Sequence, residues 1–571
     1  MKKQRQSVFA LGSIQYIYCL IPTHMTNTTR ILFVVFLLFS LIACSAKKQA
    51  DLLVYNATIY TVDTASSTTE AMAVKDGKIL ATGTVEVLEG EFQFSDKLDA
   101  QQKFIYPGFI DAHAHFVRYA QNLTRVDLVG TETWEEVLDK VNAFANENPE
   151  GWLLGRGWDQ NDWEIKEFPS NQELNELFPD RPVLLTRIDG HAAIANQKAL
   201  DLAEIKPGET LTGGVIEVKN GALTGLLIDN AIDRVSEKVS QLTTEQLVSS
   251  IEQAQENCFA VGLTTIDDCG LDYDKVDLIQ QLNEEGKLKM RLYVMLSDVP
   301  ANYDYLEKKG AIKTDHLNVR SFKVYGDGAL GSRGACLIEP YSDKPGHYGF
   351  LLSTVEHFDS VASWISTHGF QMCTHAIGDN GNRTILNIYA KYLKSQNDLR
   401  WRIEHAQVVN ENDFHLFGEN SIVPSVQPTH ATSDMYWAED RVGPHRIKGA
   451  YAYKDLLAQN GWLPLGTDFP VEDISPFKTF YAAVVRKDAK GWPENGYQTE
   501  NALTRIEALR GMTIWAAQSN FEEHEKGSLE AGKFADFVIL DQDLMQAEEK
   551  ELLNIKVLST YLGGMKVWER K

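Results

Sequence analysis

His113 and His115 stand one residue apart in FIDAHAHF, so on an extended strand both imidazoles face one side and can meet a single cation. Alone, such a pair is as easily a hydrogen-bonded core feature as a metal site. Its weight comes from His375 in FQMCTHA, His405 in WRIEHA, Asp468 in PLGTDFP and Lys323 in SFKVYGD, each near the end of a short apolar run. Each has a bland alternative: His375 bonding a backbone carbonyl, His405 pairing with Glu404, Asp468 capping a helix, Lys323 in a salt bridge. Neutral imidazoles and a carboxylate together form a nitrogen and oxygen donor set suited to a divalent cation, zinc first among them. Such a centre activates water for hydrolysis.

The elements that must position these groups are legible as eight strand candidates: 109–116, 263–269, 290–296, 321–327, 370–376, 401–406, 422–428 and 464–470. They alternate with longer helical patterns, as expected of parallel strands with crossover helices. Eight such units predict an α/β fold, a (β/α)8 TIM-like barrel, and the candidate ligands fall at the strand ends where barrels place function. About 150 residues separate the first two strands, too many for a connecting loop. An insertion over about 120–255, containing GWDQNDW and PVLLTRIDGHA, is therefore expected as a lid over the barrel mouth. Short alternating strands at both ends, with turns at Asp76-Gly77 and Gly563-Gly564, predict a small β-sandwich domain composed of 51–106 and 530–571, enclosing a barrel domain over 107–529.

The series His-x-His, Lys, His, His, Asp on strands one, four, five, six and eight resembles the amidohydrolase superfamily. GWDQNDW, RIDGHA, KVYGDGALGSRGA followed by EPY, THAIGD, RIEHA, SVQPTH and GTDFPVE are similar to the amidohydrolase 3 group that includes N-substituted formamide deformylases. LTRIEALRGMTIWAA, GSLEAGKFADFVILD and GGMKVW resemble that group's closing segments. The resemblance spans nearly the whole mature chain. It implies one or two divalent cations per chain, with His113, His115 and Asp468 at the first, His375 and His405 at the second, and Lys323 bridging them as a carboxylated lysine. It implies Asp468 as the proton shuttle in cleavage of a non-peptide C–N bond of a small-molecule amide or formamide, and a homodimer among the assemblies such barrels adopt. Trp158, Asp159, Asp189, His191 and His430 are candidates for substrate contact, each with an ordinary packing or turn role as the alternative.

With 79 acidic against 55 basic residues the chain carries a net charge of −24, which argues against nucleic acid as a partner. Ile31 to Ala43 is an apolar run of 13 residues, short for a transmembrane helix and suited to the core of a signal peptide. It ends in Leu41-Ile42-Ala43-Cys44, which resembles a bacterial lipobox. The expectation is a signal peptide over 1–43, lipidation at Cys44, a linker over 44–50 and a membrane-anchored lipoprotein facing the periplasm, with Ser45 favouring the outer membrane. Met25 opens a compact conventional signal, so translation is expected to begin there. Of six cysteines, Cys19 and Cys44 belong to the leader, and Cys258, Cys269, Cys336 and Cys373 form no CxxC pair, which makes sulfur ligation of metal unlikely and buried thiols the expectation.

Two rival functions remain at this point. A single-metal deaminase of the same superfamily typically carries Glu three residues after the fifth-strand His, where this chain has Gly378. A lipid-anchored binding protein would keep the barrel and lose a ligand, and none is lost.

Overall fold

The computed structural model describes residues 47–571. The expected signal peptide, the start at Met25, Cys19 and the lipidation site Cys44 lie outside the described residues.

Seven parallel strands form most of the barrel: Phe109–Ala114, Leu263–Leu271, Arg291–Ser297, Leu317–Tyr325, Gln371–Ala376, Arg402–His405 and Val423–Ser425. Phe109–Ala114 and Gln371–Ala376 are buried throughout, as expected of parallel strands covered on both faces. The eighth member is a closing segment without regular strand geometry. Leu465 pairs with Val426 on one side, while Ala112 N donates to Leu465 O at 3.1 Å and Asp468 N to His113 O at 2.7 Å on the other. Asp468 has φ 63°, which breaks the extended run where its side chain must turn into the barrel mouth.

The crossover helices follow from their sequences. Val355–His368 buries Phe358, Val361, Ala362 and Ile365, spaced for one helical face. Thr354 caps its start by accepting from His357 N at 3.2 Å, and Gly369, at φ 70°, ends it.

Strands from both chain ends join in one sheet, ordered Met565–Glu569, Val557–Leu562, Phe537–Leu540, Phe92–Pro107, Lys48–Tyr60, Ala71–Lys75, Lys78–Gly83. Where a sandwich was expected, the strands run as one continuous hydrogen-bonded path. The sheet is latched to the barrel by Arg291, whose Nε and Nη2 donate to the two carboxylate oxygens of Asp536 at 2.7 and 2.9 Å.

The insertion builds its own six-stranded sheet between residues 126 and 229, in the order Gly214–Lys219, Ala222–Asp229, Ala192–Ala195, Val183–Arg187, Leu153–Trp158, Val126–Asp127. Its end falls earlier than the expected 255: helix Thr244–Ala260 packs against helix Phe116–Asn122 and the second barrel strand, so it is a barrel crossover. Cys258, Cys269, Cys336 and Cys373 are buried free thiols, as expected.

Candidate metal centre

All six expected ligands are buried at the barrel mouth: His113, His115, Lys323, His375, His405 and Asp468. His113 and His115 leave the first strand toward one cavity. Lys323 comes from the fourth strand and brings Nζ to 3.1 Å from His113 Nε2. Among the described residues no carboxylate oxygen lies within 4.0 Å of that amine. His405, with φ 73°, and Asp468 both depend on left-handed backbone to aim inward.

The outer nitrogens of three histidines are fixed. His113 Nδ1 pairs with Glu404 Oε2 at 2.5 Å, His115 Nδ1 donates to the Cys269 carbonyl at 2.8 Å, and His405 Nδ1 donates to Gln427 Oε1 at 2.7 Å. Each of these contacts places the proton on Nδ1 and leaves the Nε2 lone pair facing inward, the arrangement of a metal-ligating histidine. Burial disfavours the imidazolium at all four positions, lowering His113, His375 and His405 and taking His115 to about 3. Burial thus favours the neutral ring at each position, the form that binds a cation.

His115 Nε2 faces Asp468 Oδ1 at 3.2 Å, and His113 Nε2 faces the same oxygen at 3.6 Å. With Nδ1 protonated these are acceptors facing an acceptor, a repulsive arrangement that a cation between them would relieve. Asp468 Oδ1 and His375 Nε2 are also buried without a hydrogen-bond partner. The donor set thus fits a divalent cation. The tightest grouping is His113, His405 and Asp468, with ligand atoms within 4.8 Å of one another. It crosses the division into two sets implied by the resemblance. His375 joins through its ring, 4.6 Å from that of His405.

Glu404, which the bland alternative for His405 would have made its partner, instead supports His113. Burial would raise its carboxyl, but the Arg402 guanidinium and then His113 hold it at about 2. Arg402 is itself enclosed, bonding Asp267 Oδ2 at 2.8 Å and Ser425 Oγ at 2.9 Å.

The centre opens into a cavity of about 1280 Å³ shared by the barrel and the insertion. Four of the five expected substrate-contact residues line it: Asp159, Asp189, His191 and His430. Asp159 and Asp189 both pair with Arg187, the second at 2.5 Å. His191 Nδ1 lies 2.5 Å from Asp229 Oδ1. Burial opposes the His191 charge, but the Asp229 hydrogen bond and charge outweigh it and raise its proton affinity. His430 Nε2 lies 3.7 Å from Asp468 Oδ2.

Trp158 is a correction. It is fully buried in the core of the inserted sheet, donates from Nε1 to the Leu185 carbonyl at 2.8 Å and does not line the cavity. Alternation would put both on one face, but the strand register shifts between Arg156 and Trp158, with Gly157 at φ 119°, and Arg156 rather than Trp158 reaches the cavity. Glu404, Arg187, Asp229 and Arg156 were not identified as functional from the sequence. Arg187 and Glu404 lie inside the quoted motifs RIDGHA and RIEHA, which was the available signal.

Residues 96–567 match the amidohydrolase family. The chain is 32% identical to Protein LONG AFTER FAR-RED 3 of Arabidopsis thaliana, over 91% of this chain and 92% of that protein. It is 25% identical to the N-substituted formamide deformylase of Arthrobacter pascens, over 92% and 99%. Among solved structures it resembles an uncharacterized metal-dependent hydrolase from Pyrococcus horikoshii OT3, with TM-score 0.72 and 29% identity over 87% of this chain and 99% of that one. The match over most of the chain, together with a buried cation site at the mouth of a parallel barrel, establishes a metal-dependent hydrolase: the chain belongs to the amidohydrolase family.

Proposed function

We propose that this hydrolase cleaves the non-peptide C–N bond of a small-molecule amide, with formamides as the leading substrates. The observation that carries this reading is the convergence of His115 Nε2 and Asp468 Oδ1 at 3.2 Å beside neutral imidazoles. The likeness to a formamide deformylase supports the acyl side.

In this reading His113, His115, His375, His405 and Asp468 would hold one or two zinc ions, and Lys323, whose amine faces imidazole rather than a carboxylate, would join them as a carboxylated lysine. When bound, the metal supplies a Lewis acid that makes water nucleophilic near neutral pH and polarises the substrate carbonyl. Asp468 accepts the proton released as water attacks and returns it to the departing nitrogen, which leaves as the neutral amine. His191, steadied through Nδ1 by Asp229, presents Nε2 to the cavity and donates to the oxygen on which charge develops. The inserted sheet covers the mouth and limits access of bulk water.

The deaminase reading is weakened by geometry at position 378. A Cβ there would stand 2.1 Å from the Cys336 carbonyl oxygen, so no glutamate fits without moving that loop. Membership of a hydrolase family and the intact cation site likewise weigh against a non-catalytic binding protein.

The test is amine release by protein beginning after Cys44, from a panel of N-formyl and N-acyl amines, before and after chelation and zinc restoration. Release that vanishes with chelator and returns with zinc is expected. Metal-loaded protein that releases ammonia from ring amidines, and no amine from the panel, would overturn the proposal.

A further inference from the structure

The chain has a large excess of acids, yet its cavity gathers three arginines that form no close ion pair among the described residues. Arg118 lies three residues beyond His115, on helix Phe116–Asn122; Arg125 follows that helix; Arg156 comes from the inserted strand Leu153–Trp158. Among the described residues no carboxylate oxygen lies within 4.0 Å of any of these guanidinium groups. Arg156 is only 7% exposed. One of its five N–H groups has a protein acceptor, the Ile188 carbonyl at 2.7 Å from Nη2, and its Nε is buried without a partner. Among the described residues the side chains of exposed Arg118 and half-buried Arg125 meet no protein acceptor.

Leaving a buried guanidinium with most of its donors unused is unfavourable, and placing like charges beside it adds repulsion. Burial, and then the Arg118 charge, lower Arg125 and Arg156 to about 10, so both remain cations at neutral pH. These arginines are close to the chemistry: the Arg118 charge is felt at His115, and Arg156 feels the charges of Asp189 and Asp468. Several acids around the cavity have partners of their own, while Asp233, which also lines it, feels the Arg118 charge without pairing with it. Asp159 and Asp189 hold Arg187, Asp229 holds His191, and Asp473 holds Lys478.

We propose that Arg118, Arg125 and Arg156 form an anion subsite that selects substrates carrying a carboxylate on the part of the molecule that is not cleaved. The proposal rests on the amide-hydrolase reading for the bond broken, and adds the charge of the substrate. A planar guanidinium matches a carboxylate with two parallel N–H···O bonds, and three such forks at one cavity exceed what a neutral amide needs. The substrate class is then an N-acyl or N-formyl amino acid, or an amide of comparable length ending in a carboxylate.

The experiment pairs N-formyl, N-acetyl and N-benzoyl derivatives of α-, β- and γ-amino acids with their neutral carboxamides. It measures binding by calorimetry and amine release by the zinc-loaded enzyme. The acids are expected to bind and react in preference to their carboxamides, by roughly 10- to 100-fold in Kd and kcat/KM for the best chain length, a range set by hydrogen bonds to charged groups. Arg125→Gln and Arg118→Gln should each collapse that preference, chiefly through KM, and Arg125→Lys should restore part of it. Because Arg156 is buried, the two more accessible positions carry the test, and thermal melting verifies folding. Binding of the acids without amine release would keep the anion subsite and remove amide cleavage. Release from carboxamides and acids alike would keep amide cleavage and overturn the subsite. Absence of binding by every acid would also overturn it.

Discussion

Glu404 holds the imidazole of His113 from behind: Oε2 lies 2.5 Å from Nδ1, while Nε2 on the far side of the ring faces Lys323 and Asp468. The two residues are 291 positions apart in the chain. The contact fixes the tautomer of His113 and strengthens its inward nitrogen as a donor.

Glu404→Gln should therefore lower metal affinity by roughly 10- to 100-fold, the usual effect of removing such a supporting group. Metal content after dialysis against graded chelator measures this. The variant should also melt earlier, because the buried Arg402 loses a charge partner at 2.6 Å. Unchanged metal retention would show that His113 needs no support.

Asp468→Asn should reduce kcat by about 100- to 10,000-fold, the range for loss of a proton-transferring group. Metal analysis of the same sample distinguishes a lost shuttle from a lost ligand. Near-normal turnover with metal in place would assign proton transfer elsewhere, with His430, 3.7 Å from Asp468 Oδ2, as the next candidate.

Trp158→Phe should cost about 1 kcal/mol by removing the indole hydrogen bond to the Leu185 carbonyl, and Trp158→Ala about 3–5 kcal/mol by opening a cavity in the inserted sheet. Denaturant titration reads both. KM should not change for Trp158→Phe, and a raised KM at unchanged stability would return Trp158 to the substrate pocket.

The Arg291–Asp536 latch should make stability depend on acid. Burial alone would raise the Asp536 carboxyl, but the Arg291 guanidinium and the hydrogen bond from Gly563 outweigh it, so its proton affinity in the folded state is below the ordinary value of 3.8. A depressed folded value stabilises the protein fully above the unfolded value, and that stability is lost as pH falls below 3.8 toward the folded value. Asp536→Asn should flatten this acid limb and lower stability at neutral pH by about 3–5 kcal/mol, because Arg291 is left buried and unpaired. A wild-type acid limb in the variant would refute the assignment.

We propose that Cys44 is lipidated: the full precursor should then fractionate with membranes and incorporate labelled fatty acid, and Cys44→Ser should abolish both. Retention in the membrane would favour an uncleaved anchor over lipidation.

The gathering of the six candidates at the barrel mouth, the parallel barrel order and the joining of the chain ends in one sheet were legible because each follows from recognisable strand patterns. Strand periodicity aims His113 and His115 together, apolar runs mark the strands, and recurrent motifs place Lys323, His375, His405 and Asp468 at their ends. That Arg156 reaches the cavity and Trp158 does not depended on a register shift at Gly157, where simple alternation would have put both side chains on one face. The contact of Glu404 with His113, the pairing of Arg187 with two aspartates and the gathering of Arg118, Arg125 and Arg156 at one cavity were decided only by the tertiary structure. These contacts join residues far apart in sequence, and their partners are chosen by barrel closure and by how the inserted sheet sits on it. Sequence thus determined which side chains can do the chemistry; packing determined which of them touch, because charge and hydrogen bonding act over a few ångströms that only the folded chain defines.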